Sequence, residues 1–441
     1  MSTELLTILM FVSVFVGVFA GFPVTFVLAS LGIIFGLIAL PPQQLVFMIP
    51  LRIFDILSTE VFAAVPLFVF MGAMIERSGI AEIAYAVMYK IFGPLRGGLA
   101  LATVVICTLF AAATGIIGAS VITMALVAVP AMLKRGYDKR LAMGTVAASG
   151  TLGIIIPPSV MLILYAPMAG VSVIDMYAAA IIPGLVLSTL FILYIAIKCY
   201  TNPNAGPALS PEERGKLVWS QLLLEVIKSL VPFLFLIIAV LGSIFLGITS
   251  ATEGAGVGSI GSIIISAVYK KLNLKQLKEA AYFSVRVSTM VIFVALGANL
   301  FTGTFLSAGC GKVVSNVLLG LGIGPWGILL LLLFIIFILG MLIDWIGILF
   351  IMVPIFGPIV AGLGFDPLWV GIVICVSLQI SFLSPPFAYA IFYLKGLNFE
   401  GVRYSDIVGG VIPFVILQAI GTALCLIFKP LALWLPRVLF G

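Results

Sequence analysis

The chain has 441 residues, of which 63% are hydrophobic and 9% charged, with a mean hydropathy of +1.34. Soluble domains carry about 25% charged residues, so this composition excludes a water-facing globular surface and reads as a polytopic membrane protein. The net charge of +6 is modest; in a membrane protein it concerns loop orientation, and no nucleic-acid partner is expected. Histidine is absent, which removes the commonest proton shuttle, general base and metal ligand.

In chain order, "MSTELLTILMFVSVF" lacks a basic n-region and runs straight into apolar sequence, so no cleavable leader is expected. Apolar runs follow at Leu5–Ala20, Pro23–Leu40, Leu99–Ala113, Val231–Gly247 and Gly327–Gly340. They are continuous rather than alternating, which predicts an all-α fold and not a β-barrel. Roughly a dozen crossings or half-crossings fit the length needed to span hydrocarbon. The five cysteines stand singly, without metal or pairing spacing, and read as small buried hydrophobes.

"FAAATGIIGASVITMALVAVP" (Phe110–Pro130) places small and polar residues inside an apolar stretch. It predicts a re-entrant hairpin over about 99–133, with Thr114 and Gly115 near its tip. "GIIIPPSV" (Gly153–Val160) then breaks a helix predicted over about 141–166. Tandem proline removes donors and displaces the carbonyls of the preceding turn. "KCYTNPNAGPALSPEERGK" marks an interfacial linker over 198–228, between a first unit, 1–197, and a second, 229–441. In the second unit "ILGMLIDWIGILFIMVP" predicts a hairpin over about 327–362, with Gly340 to Asp344 near its tip. "SFLSPPFAY" breaks a helix predicted over about 369–394.

The two units are copies. Gly72 and Gly297 are offset by 225, Val129-Pro130 and Val353-Pro354 by 224, Gly136-Tyr137-Asp138 and Gly364-Phe365-Asp366 by 228, Pro157-Pro158 and Pro385-Pro386 by 228, and Tyr165 and Tyr393 by 228. A shared order at a nearly constant shift reads as an internal duplication. "KRGYDKR" (Lys134–Arg140) is basic and its counterpart "GPIVAGLGFDP" is not, whereas "KKLNLKQLK" (Lys270–Lys278) is basic and its counterpart near Pro41–Met48 is uncharged. Equivalent loops then lie on opposite sides of the membrane, which predicts an inverted-topology repeat.

Non-helical backbone at membrane depth persists only where it lines a cavity or binds something. Paired breaks therefore point to a transport site, with carbonyls suited to a small cation and helix N-termini suited to an anion. Asp344 inside an apolar run suits a cation or substrate contact, or a cap on the hairpin tip. Glu253 after Thr249-Ser250 reads equally as a helix start. Asn299 is a polar cavity candidate or an interhelical hydrogen bond. A channel filter, a phosphate-binding loop and an enzyme's nucleophile motif are all absent.

"GASVITMALVAVPAMLKRGYDKRLAMGTVAASGTLGIIIPPSVMLILYA", "ATEGAGVGSIGS", "LGMLIDWIGILFIMVPIFGPIV" and "LSPPFAYAIFYLKG" resemble the large membrane subunit (DctM type) of tripartite ATP-independent periplasmic (TRAP) transporters. The resemblance covers essentially the whole chain. It implies the ion-transporter-superfamily fold, with a scaffold and a mobile elevator region holding both hairpins. It implies sodium-driven uptake of a small organic acid, a carboxylate or sulfonate-like anion, in a bacterial inner membrane. It also implies a separate small four-helix subunit (DctQ type) and a periplasmic substrate-binding protein, with no organic cofactor; a stand-alone cation-coupled anion transporter of the same superfamily is the alternative. Two or more sodium sites are implied. One carries over to Ala111, Gly153, Ile156 and Pro158, largely through carbonyls, and the other to Gly340, Ser381, Ser384 and Phe387. Many family members have "SGSG" in the first hairpin, where this chain has "TGII"; Thr114 keeps a hydroxyl and Ile116 does not, so carbonyl ligation is the expectation there.

Overall fold

A computed structural model describes residues 2–115, 117–209, 219–385 and 388–441. The first half holds α1 (Thr3–Phe19), α2 (Val24–Ala39), α3 (Pro42–Ser58), α4 (Val61–Arg77), α5 (Ile80–Phe92), α6 (Gly98–Thr114), α7 (Ile117–Lys134), α8 (Lys139–Thr151), α9 (Val160–Met168) and α10 (Val173–Thr201). The second holds α11 (Trp219–Phe245), α12 (Ala251–Val268), α13 (Leu274–Ser307), α14 (Cys310–Gly320), α15 (Gly324–Gly340), α16 (Trp345–Gly362), α17 (Pro367–Leu383), α18 (Tyr389–Gly396), α19 (Tyr404–Ile427) and α20 (Pro430–Phe440). By length and composition α10, α11, α12, α13, α16 and α19 can each cross a membrane, and α3 with α4, bent by 47°, can make one more.

Helices recur in order. The starts of α6 and α15 differ by 226 (324 − 98), of α7 and α16 by 228 (345 − 117), and of α8 and α17 by 228 (367 − 139). The bent pair α3–α4 corresponds to the single unbroken α13. The repeated Gly-aromatic-Asp motif has a local cause. Gly136 and Gly364 take positive φ, 74° and 80°, where a side chain is strained. Asp138 then accepts from the amides of Arg140 and Leu141, and Asp366 from those of Leu368 and Trp369. Each aspartate thereby starts a broken helix, a cap worth about 1 kcal/mol.

Helix directions follow from contact registers. Thr252, Ser259 and Ser266 donate to the carbonyls of Glu60, Leu67 and Met74, always at a separation of 192. A constant difference means that α4 and α12 run parallel. Thr304 donates to the Gly32 carbonyl at a separation of 272, and Gly297 abuts the Thr25 carbonyl at the same separation (297 − 25), so α2 and α13 run parallel. Ser284 reaches Pro66 while Gln276 reaches Arg77, so α13 and α4 are antiparallel. It follows that α2 and its counterpart α12 run in opposite directions. The repeat is inverted, as the basic loops predict.

The segment 198–228 is less of a linker than its composition suggests. Residues 198–201 finish α10 and residues 219–228 begin α11. Contacts hold that start in place: Lys90 pairs with Glu225 at 2.6 Å, and the Tyr269 hydroxyl donates to the Lys228 carbonyl. Between α10 and α11 the described residues hold a 3-10 turn at Pro203–Ala205. Glu253 belongs to a capping box, exchanging hydrogen bonds with Ser250 at 3.2 and 2.7 Å, so it is a helix start and not a buried charge.

Glycine sets the closest helix contact. A methyl at Gly410 would lie 2.2 Å from the Arg140 carbonyl oxygen, and one at Gly144 would lie 2.0 Å from that of Gly410, so α8 and α19 meet backbone to backbone. Gly410→Ala should lower stability by about 1–3 kcal/mol, the usual cost of overpacking. Gly256→Ala, with open space around it, should be neutral or slightly stabilising. Thermal unfolding of both variants in one detergent checks the contrast.

Candidate functional site

The first break is built from hydroxyls and prolines. After α8 the chain tightens into a 3-10 turn, Leu152–Ile154, and the amides of Ile155 and Ile156 both donate to the Leu152 carbonyl, at 3.1 and 3.0 Å. Pro157 and Pro158 have no amide hydrogen to continue the ladder. Ser159 closes the gap: its hydroxyl donates to the Ile154 carbonyl at 2.5 Å and accepts from the Leu162 amide, capping α9. The second break uses hydroxyls placed before its prolines. Ser384 donates to the Ile380 carbonyl at 2.8 Å, and Ser381 donates to the Phe337 carbonyl of α15 at 3.2 Å. With 13 residues in α8 and 9 in α9, each piece is shorter than the ~30 Å hydrocarbon core at about 1.5 Å per residue.

Helices α6 and α7 fold back on each other, as do α15 and α16, and the depth of each tip is set by what it touches. A methyl on Gly115 would sit 3.5 Å from the Pro158 carbonyl oxygen and 3.6 Å from the Val160 amide. A methyl on Gly340 would sit 2.4 Å from the Ser381 hydroxyl oxygen. Each hairpin tip therefore meets the break of its own half.

The residues carried over for cation binding fall here. Ala111 lies one turn before the first tip, and its carbonyl accepts from the Gly115 amide at 3.3 Å. Gly153 and Ile156 lie in the turn of the break, the Ile156 side chain packing on Gly184 of α10. Gly340 and Ser381 meet at the second tip and Ser384 ends α17, while Phe387 lies outside the described residues. Thr114 closes α6, and its hydroxyl is likewise outside them. Among the described residues no group of three His, Cys, Asp or Glu could hold a metal. Neutral oxygens are what the breaks offer. The protons of both Ser381 and Ser384 are committed to helix carbonyls, which leaves their lone pairs free. That donor set fits a hard monovalent cation better than a transition metal.

Between the tips lies a cavity of about 350 Å³. The first hairpin contributes Gly115, Ile117 and Gly118; the second contributes Asp344, Trp345 and Ile346. Tyr389 and Tyr393 of α18 close one side, and Pro23–Thr25 of α2 with Val287, Met290, Val291 and Val294 of α13 close the other. Asp344 caps α16 by accepting from the Ile346 amide at 3.2 Å, as the cap reading has it, and also lines the cavity. Tyr393 packs on Gly118, where a methyl would lie 3.0 Å from the ring, and so ties the first hairpin to the second broken helix. A larger cavity elsewhere has no charged side chain in its wall, whereas Asp344 lines this one.

Asn299 is not part of it. Its amide donates to the Arg52 carbonyl at 2.9 Å and accepts from the Arg52 guanidinium at 3.5 Å, pinning α13 to α3. The cavity face of α13 is the stripe 287, 290, 291 and 294, whose helical spacing was legible, but Asn299 lies off it. Tyr389 and Tyr393, spaced i and i+4, carried the same kind of signal and were missed. So was Glu76, a half-buried carboxylate on α4 that accepts from the Thr123 hydroxyl of α7 at 2.9 Å.

Three comparisons bear on this arrangement. The family model described as "Tripartite ATP-independent periplasmic transporter, DctM component" matches residues 11–431. A C4-dicarboxylate TRAP transporter large permease protein, DctM, of Pseudomonas aeruginosa is 28% identical over 394 residues, 88% of each chain. The ectoine/5-hydroxyectoine TRAP transporter large permease protein UehC of Ruegeria pomeroyi is 30% identical over 383 residues, 86% of each. The YdaH transporter of Alcanivorax borkumensis, solved by crystallography, superposes with a TM-score of 0.67 over 98% of each chain at 14% identity, a likeness of fold alone.

All five native cysteines are buried. Trp345→Cys should therefore react with a water-soluble thiol reagent, whereas Ile163→Cys, at a fully buried position, should not. Mass measurement of the labelled protein checks this, and an unreactive Trp345→Cys would mean that water does not reach the cavity.

Proposed function

Since the chain belongs to the DctM component family of tripartite ATP-independent periplasmic transporters, we propose that it carries a small organic acid inward, driven by sodium, through an elevator motion of the hairpins and broken helices. It is a multi-pass permease of the inner membrane and not an enzyme. The observation that carries the proposal is the pairing of each glycine-tipped hairpin with the break of its own half, around neutral oxygens and beside one shared cavity.

In this reading Ala111, Gly153, Ile156 and Pro158 hold one sodium ion, and Gly340, Ser381, Ser384 and Phe387 hold another. Occupancy of these cradles draws each tip onto its break and shapes the cavity wall. The substrate's acidic group then lies near the N-termini of α9 and α18, whose dipoles favour negative charge. Tyr389 and Tyr393 supply hydroxyls, and the α13 stripe covers the apolar part. Relatives named for C4-dicarboxylates, ectoine and isethionate support a small polar acid as the substrate. The moving region slides against α2–α4 and α12–α13, where glycine and serine allow close parallel packing. Solute reaches the chain from a periplasmic substrate-binding protein, and a small membrane subunit completes the permease.

Reconstituted in liposomes, the chain should take up solute only with sodium, the small subunit and a loaded binding protein all present. Robust uptake by the chain alone without sodium would overturn the proposal. Ser381→Ala should raise the half-saturating sodium concentration about ten-fold, as expected for loss of one ligand worth ~1.4 kcal/mol. Gly340→Ala should abolish sodium-driven uptake, because its methyl would lie 2.4 Å from the Ser381 hydroxyl oxygen.

A further inference from the structure

The larger cavity, about 510 Å³, lies away from both breaks, between the arms of the second hairpin, the end of α9 and the start of α17. Its wall is apolar apart from Tyr165. Its rim includes Pro167, Gly170, Pro358, Ala361 and Pro367, all exposed and all uncharged. Close-packed interiors leave few such spaces, and no charged side chain lines this one. A rim of this kind opens toward hydrocarbon, where the abundant filler is an acyl chain.

A charge stands beside that rim. The Lys429 ammonium lies 4.8 Å from the ring centre of Trp369 and 5.7 Å from those of Trp326 and Phe365. Trp326 is one helical turn before Leu329, and Trp369 adjoins Val370; Leu329 and Val370 are both in the cavity wall. Among the described residues no carboxylate pairs with Lys429. An unneutralised lysine on an aromatic platform, next to an apolar slot, matches a phosphate above an acyl chain.

We propose that this cavity binds one anionic phospholipid, with an acyl chain between α15, α16 and α9 and its phosphate at Lys429. The lipid braces the second hairpin, whose tip carries Gly340 and Asp344. The site is separate from the solute cavity and does not depend on what crosses there.

The test is native mass spectrometry of the purified full chain, stripped in detergent and then exposed to phosphatidylglycerol or phosphatidylcholine. The wild type should retain one phosphatidylglycerol in preference to phosphatidylcholine. Lys429→Gln should reduce that preference about five-fold, the effect of one basic side chain at a membrane surface. Leu333→Trp, which fills the slot, should abolish retention while thermal unfolding shows the variant folded. Failure of the wild type to retain lipid, or an unchanged preference in Lys429→Gln, overturns the proposal. If Leu333→Trp does not fold, the Lys429→Gln comparison decides alone.

Discussion

In hydrocarbon a backbone amide or carbonyl without a partner costs several kcal/mol. The fold is arranged around two places where that constraint is strained. At the first break Ser159 supplies what the prolines cannot, returning its hydroxyl to Ile154 and capping α9. At the second, Ser381 and Ser384 return theirs to Phe337 and Ile380. These repairs leave the chain non-helical yet buried, and something must cover it. The hairpin tips do so, which is why glycine stands at 115 and 340: a methyl at the second tip would strike Ser381. The short helices, the tips and the cavity between them all follow from keeping two opened turns away from lipid.

What the sequence revealed was whatever depends on local chemistry repeated twice. Gly136 and Asp138 stop one helix and start the next, and Gly364 and Asp366 do the same 228 residues later. Such signals survive because backbone conformation and capping need particular residues. The inversion was legible from loop charge, and the contact registers of α2, α4, α12 and α13 reach the same answer independently. What stayed hidden depends on how the halves meet. Nothing near Asn299 says that it faces Arg52 rather than the cavity, since the partner lies 247 residues away. Tyr393 gains its place only because Gly118, from the other half, admits its ring. Nothing near Glu76 says that its partner is Thr123, 47 residues away.

The halves are copies in order but not in chemistry. Gly153, Ile156 and Ser159 stand where the second half has Ser381, Ser384 and Phe387. The first break therefore offers mostly carbonyls with its hydroxyl after the prolines, and the second places hydroxyls before them. One break depends on backbone shape, the other on side chains. A substitution series should perturb them unequally, because carbonyls cannot be removed by mutation and hydroxyls can.

That inequality bears on how such a machine chooses between its end states. If two inverted halves were identical, exchanging their conformations would turn the outward-facing form into the inward-facing one, and the two would have equal energy. Every departure from the repeat tilts that balance. Here α3 and α4 are bent by 47° while α13 runs unbroken. The Glu76–Thr123 hydrogen bond between α4 and α7 has no counterpart, because Phe301 and Ile351 occupy the corresponding places (offsets 225 and 228). In the proposed elevator motion, displacement of α7 with its hairpin breaks that bond. A hydrogen bond to a charged group is worth about 1.5–3 kcal/mol, enough to shift a two-state population more than ten-fold. In that proposal inverted symmetry supplies two accessible states, and residues that violate the symmetry bias which is occupied at rest.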